Sequence, residues 1–135
     1  MRLNSIRKAM SFGAAFSLAL AWTFADAHHS FSAEFDIGRP VEITGTVTSI
    51  EWTNPHAWVH LEAVDAEGNR TQWAVELLGV NALARSGLTR HTLKPGDQIM
   101  VSGYQARNGT HTANASSMKR ADTGERLWTS SVEPN

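Results

Sequence analysis

The residues best equipped for chemistry are histidines. His28 and His29 follow directly on a run that ends Ala25-Asp26-Ala27, and His56 follows Asn54-Pro55. If the chain is trimmed after Ala27, the new α-amine and the ring of His28 can chelate one ion, with His29 beside them. The amine titrates at about 7.7 to 8 and imidazole at about 6.5, so both yield a proton to a metal near neutral pH. Such an all-nitrogen set favours copper(II) among the common divalent ions. Trimming after Ala25 would instead place His28 third, which again makes a copper ligand set. A complete site needs another imidazole from the folded domain; His56 is the first candidate and His111 the second. The competing reading is that His28 and His29 are polar residues on a mobile chain end. His56 and His60 face the same way on a regular strand but stand about 13 Å apart, at roughly 3.3 Å per residue. They can share an ion only if Pro55 distorts the strand start; otherwise His60 is a cross-strand partner for a carboxylate or an aromatic ring.

A second candidate surface is aromatic. Trp52, Trp58 and Trp73 fall on three successive predicted strands, where, with His60, they could stack an extended ligand. Core burial is the more common fate of tryptophan. Glu51 and Glu76 could flank that surface, but nothing in the sequence sets the separation that a glycosidase pair needs. A Gly-x-Ser-x-Gly elbow and a phosphate-cradling glycine loop are both missing, and no other catalytic signature stands out. The expectation is a binding module, with a copper-dependent redox enzyme as a third reading.

The elements that must position these residues are mostly strands. Residues 28–40 show no sustained period and are expected to form an extended arm, with Phe31 and Phe35 as anchors. Val41, Ile43 and Val47 are odd-numbered while Ile50 and Trp52 are even, so a bulge or bend between Gly45 and Ser49 must switch the apolar face of a long first strand. Trp58 to Val64 alternates cleanly, Asp65 to Asn69 reads as a hairpin loop, and Thr71 to Leu78 returns as a third strand. Val80, Leu83 and Ala84 follow a helical period that Asn81 could cap and Gly87 could close. A turn at Leu93-Lys94-Pro95-Gly96-Asp97 leads to a strand at Ile99 and Val101. Arg107-Asn108-Gly109-Thr110 turns the chain into a fifth strand, His111 to Met118, and Leu127-Trp128 could add a short one. Three strands, a short helix and two strands, with a bent first strand, is the order of a five-stranded OB-like Greek-key barrel, predicted over residues 41–135.

Residues 1–27 carry Arg2, Arg7 and Lys8, then a mostly apolar stretch to Phe24 too short for a good membrane span, then a small-x-small site; they are expected to be a secretory signal peptide. Export to the periplasm or beyond, with no stable membrane insertion after cleavage, follows. Losing three cations and one acid with the leader moves the formal charge from −1 to −3. A mildly acidic domain lacks the basic footprint that nucleic acid requires. The absence of cysteine removes disulfides and thiolate metal sites.

Ala27-His28-His29-Ser30-Phe31, Gly45-Thr46-Val47-Thr48, Glu51-Trp52-Thr53-Asn54-Pro55-His56 and Leu93-Lys94-Pro95-Gly96-Asp97 together resemble a family of short exported bacterial proteins known as domain of unknown function 6152. The resemblance spans essentially all of the chain after the leader and implies a periplasmic, barrel-like domain without an assigned activity. The chain departs from the family pattern at Val80-Asn81 and Gly87-Leu88, where the family carries Pro-Asn and Gly-Trp. Taken together, the residues predict a periplasmic protein that binds a transition metal, copper, through His28, His29 and His56. The alternative is a module for a non-metal ligand or partner, using Trp52, Trp58, Trp73 and His60.

Overall fold

The computed structural model describes residues 30–131. Their order is α1 (Ser30–Glu34), β1 (Phe35–Glu51), β2 (Trp58–Val64), β3 (Arg70–Glu76), α2 (Val80–Arg85), β4 (Gln98–Ala106), β5 (Thr112–Arg120) and β6 (Arg126–Thr129). The six strands form one sheet in the order β3-β2-β1-β4-β5-β6, and a short parallel pairing of β3 with β5 closes it into a ring. Among the described residues no helix is long and apolar enough to cross a membrane.

β1 makes closure possible because it serves two neighbours in turn. Its first part pairs with β4 and its last part, from Gly45, with β2. Gly45 pairs with Ala63 on one side and Ile99 on the other, and a Cβ there would lie 2.7 Å from the Glu62 carbonyl oxygen. Two residues later the β1–β2 register slips between Val47 and Ser49. The extra residue reverses the parity of the strand, so Val47 is buried and Ile50 also packs on the core. The bend expected between Gly45 and Ser49 is present.

Alternation elsewhere buries one face as expected. Val59 and Leu61 of β2, Val75 of β3, Ile99 and Val101 of β4 and Met118 of β5 are all at most 1% exposed. α2 closes one end of the ring by inserting Leu83, with Leu88 following it into the core. Its cap differs from expectation: the N-cap is Gly79, not Asn81, and the Val80 N–H donates to Asn54 Oδ1 at 3.3 Å. Its end is as expected. Gly87 adopts φ 91°, its N–H donates to Ala84 O, and the Leu88 N–H donates to Leu83 O, which together satisfy the last carbonyls. The β2–β3 loop is held by Asp65, whose carboxylate accepts from the N–H groups of Glu67 and Asn69 and from Asn69 Nδ2. These bonds, led by the Asn69 side chain, hold the Asp65 carboxyl below its ordinary range.

Two expectations need correction. The described part of the presumed arm is extended only from Phe35, where it is already β1 of the sheet; residues 30–34 are α1. The reason is that this segment has partners on β4. The Arg107 N–H donates to Glu34 O, Phe35 pairs with Ala106, and Phe31 packs edge-on against Tyr104 with ring centroids 6.1 Å apart. Phe31 and Phe35 do act as anchors. The sheet also has six strands rather than five. β3 covers the edge of β5 only at Thr112–Asn114, which leaves Ser117–Lys119 open for β6, and burial of Trp128 beneath α2 draws that strand in.

Candidate metal site at the Pro55–His56 turn

Between β1 and β2 the chain turns through a cis Asn54–Pro55 peptide. The turn is braced from several sides. Thr53 Oγ1 donates to His56 O at 3.3 Å, the Ala57 N–H donates to Leu78 O at 3.1 Å, and the Leu77 N–H donates to Ala57 O at 2.8 Å. Gly79 lets the start of α2 approach, since a Cβ there would stand 2.9 Å from Pro55 O. Ala57 is fully buried, so the residue before it has little freedom to swing.

That residue is His56, and it lies over β3. Its Nδ1 meets Oε1 of Glu76, which among the described residues is the one buried charged residue and lies on the same sheet face as Trp58, outside the core cluster. The His56 side chain is 44% exposed and that of Glu76 only 6%, so one edge of the imidazole is seated on a dry carboxylate and the rest reaches solvent. The second oxygen of Glu76, Oε2, is buried and accepts no hydrogen bond. Burial raises the Glu76 carboxyl above its ordinary range, and the charge of Glu34 adds to this. The charge of His56 and the side chain of Asn114, which is opposite Glu76 in the β3–β5 pairing, work against it.

A stability prediction follows from the direction of that shift. A carboxyl that is harder to ionise when folded holds its proton in the native state over a range where the unfolded chain has lost it. Its contribution is therefore greatest below the unfolded value, 4.5, and declines as pH rises through the folded one. Glu76→Gln should remove this slope. Urea midpoints of the metal-free proteins, followed from about pH 4 upward, should show the variant gaining on the wild type as pH rises. A constant difference would exclude the burial effect.

The start of the described chain lies on the same flank. Glu34, at the end of α1, is close enough for its charge to act on Glu76. α1 is fixed there by Arg107, whose Nε donates to Ser32 O at 2.6 Å and whose N–H donates to Glu34 O at 2.8 Å. The expected ligands His28 and His29 immediately precede this helix in sequence and lie outside the described residues. Among the described residues, no three His, Asp or Glu side chains are grouped so as to hold a metal. His56 with Glu76 is thus a half-site that needs ligands from elsewhere.

The other predicted residues are not gathered with His56. His60 Nε2 pairs with Glu51 Oε1 at 2.8 Å, the cross-strand role expected if it were not a ligand. Trp58 separates the two pairs, lying opposite Glu51 on β1 and Glu76 on β3. The three tryptophans do not share one stacking surface. Trp73 lies opposite Leu61 and packs on the core with Trp52, whereas Trp58 alternates with Val59 to the outer side. Pairing register is the physical reason, because residues opposite one another must point to the same face. His111 packs edge-on against Trp73 at 5.0 Å, away from His56. Glu76, expected only to flank the aromatic surface, is instead the partner of His56. Its position inside the apolar run Val75-Glu76-Leu77-Leu78 was the available signal, since a carboxylate there has to be paired.

Comparison with known proteins places the chain in a family. Residues 16–115 match the model described as a family of unknown function (DUF6152), and the chain belongs to that family. No curated protein matches it. Among solved structures, the mitochondrial single-stranded DNA-binding protein Rim1 from S. cerevisiae is similar with a TM-score of 0.45 at 11% identity, over 67% of this chain and 96% of that one.

Proposed function

We propose that this protein is an exported, periplasmic metal-binding module that takes copper(II) through His56 and the nitrogens of a trimmed amino terminus, His28 and His29. In this proposal the closed sheet is an OB-like Greek-key barrel with β6 as an added edge strand. The sharing of β1 between β2 and β4, the parallel β3–β5 closure and the helix between β3 and β4 support that reading. One observation carries the function. A half-exposed imidazole is seated on a buried carboxylate, on the flank where α1 brings in the chain directly after His28 and His29. A carboxylate behind a histidine is the usual support for a metal-binding ring. The chain has no cysteine, and the nitrogen ligands that remain suit copper(II).

The test uses protein secreted with its own leader, so that intact mass reports the first residue. Titration with copper(II) alone should give one complex per chain and quench the fluorescence of Trp58, which lies between the two histidine pairs. Adding Gly-Ser ahead of the mature start should weaken binding at least about tenfold, as expected when a ligand is withdrawn. A product beginning upstream of Asp26, or identical titration of the native and extended proteins, would overturn the chelating terminus. A non-metal ligand would then be sought in the groove of about 410 Å³ lined by Val41, Ile43, Ala63, Val64 and Trp73.

A further inference from the structure

We infer that the outer face of β4, β5 and β6 carries an anion-binding site, built by Lys119, Arg126 and the hydroxyls of Ser102, Ser117 and Thr129, that takes a tetrahedral oxyanion, phosphate or sulfate, carried by a small molecule. These side chains line a groove of about 460 Å³ together with Met100 and Gly124. Pairing register sets them out as a grid. Met100, Lys119 and Arg126 lie opposite one another across the three strands, and Ser102, Ser117 and Thr129 form the next row. Simple alternation would not produce this arrangement. β5 carries an extra residue, Ser116, against β4, so Ala115 is buried while Ser117, of the same parity, lies with Ser102 in the groove. β6 carries an extra residue, Leu127, against β5, which brings Arg126 to the face of Thr129. Bulges re-aim side chains in this way, and here both aim theirs into one groove. The groove shares no residue with the His56–Glu76 pair, so the site stands apart from the metal-binding reading.

The charges argue for a ligand. Lys119 and Arg126 are like charges directly opposite on adjacent strands, an arrangement that repels unless an anion lies between them. Among the described residues neither has a carboxylate partner. Arg120, next to Lys119, is taken up by Asp97 and Glu125, and Arg70 by Glu62. The described lining holds no acid either; Glu42, opposite Ser102 on β1, lies beyond β4. Ser116 donates to Ser102 O at 3.1 Å, whereas the hydroxyls of Ser102, Ser117 and Thr129 have no partner among the described residues. Two cations and three hydroxyl donors without a competing acid suit a tetrahedral oxyanion, which offers acceptors in every direction and gains most from charged donors. The volume falls in the range that holds a small molecule, about 300 to 1,000 Å³, so a bare ion would fill only part of it. Met100 supplies apolar surface for the remainder of the ligand.

The experiment titrates the secreted protein with glucose 6-phosphate, inorganic phosphate, inorganic sulfate and glucose, read by calorimetry and by amide NMR shifts. Glucose 6-phosphate should bind and move the amides of β5 and β6. The two inorganic ions should act on the same residues more weakly, and glucose should not bind. Lys119→Gln and Arg126→Gln should each weaken binding about tenfold through loss of a charge-assisted contact, and Ser117→Ala about threefold. Arg70→Gln, which removes the same charge at the start of β3, should match wild type. Without ligand, Lys119→Gln should not lower the urea midpoint, because it relieves a repulsion and breaks no ion pair. Equal affinity for inorganic phosphate and glucose 6-phosphate would make the free ion the ligand and overturn the small-molecule assignment. Three results would overturn the site itself: no binding of any of the three anions, glucose binding as tightly as its phosphate, or losses in Arg70→Gln equal to those in Lys119→Gln and Arg126→Gln.

Discussion

Gly103→Ala is expected to take away a large share of the protein's folding stability. Gly103 sits on β4 where the β4–β5 register slips, between Ser102 and Gly103. A Cβ built there would lie 2.1 Å from the Asn114 carbonyl oxygen, 3.0 Å from its carbon and 3.1 Å from Ala115 Cα. All three atoms are backbone, so no side chain can rotate away and β5 itself must move. Asn114 is also the residue that pairs with Glu76 across the β3–β5 closure, so the displacement acts on the weakest seam of the ring as well as on β4. Overpacking that side chains can absorb typically costs 1 to 3 kcal/mol, and this one should cost about 3 kcal/mol or more. Urea unfolding followed by circular dichroism checks it. An unchanged midpoint would mean that the two strands do not approach so closely.

Trp128→Ala should have an effect of comparable size. Trp128 is 2% exposed, lies opposite Met118 in the β5–β6 pair, and belongs to the single core cluster. Its Nε1 donates to Ser86 Oγ at 2.9 Å, and Ser86 Oγ reaches back to Leu83 O at 2.9 Å. One side chain therefore fastens the last strand to the end of α2, the helix that closes the ring. Truncating a buried tryptophan to alanine typically costs about 3 to 5 kcal/mol, against a total stability of about 5 to 15 kcal/mol for a domain. Trp128→Phe keeps most of the apolar contact and loses the hydrogen bond, so it should cost nearer 1 kcal/mol from that bond alone. The pair of variants, compared by urea midpoint, separates packing from hydrogen bonding. A loss below about 1 kcal/mol for alanine would show that β6 adds little to the fold.

The features readable from the residues alone are local ones. Alternation along Trp58 to Val64, the parity change between Val47 and Ile50, the helical period from Val80 with Gly87 after it, and the turn residues at 65–69 and 107–110 were all legible and reappear in the structure. They were legible because each depends on a few adjacent residues and the intrinsic geometry of strand, helix or turn. His56 was singled out for the same reason, by its place after Pro55 at a strand start.

Which elements lie side by side is set by the folded ring. Parity says that Glu76 and Trp73 differ in face, but not that Glu76 meets an imidazole 20 residues earlier in the chain or Asn114 far beyond it. The periodless stretch before Pro40 gave no sign of a helix and strand, because their partners, Arg107, Tyr104 and Ala106, lie on β4 and just beyond its end. Trp128 likewise gains its role from a serine on α2's end, 42 residues away. Such pairings are set by closure of the whole ring, in which many weak contacts must be satisfied at once, and no short window of sequence contains both members.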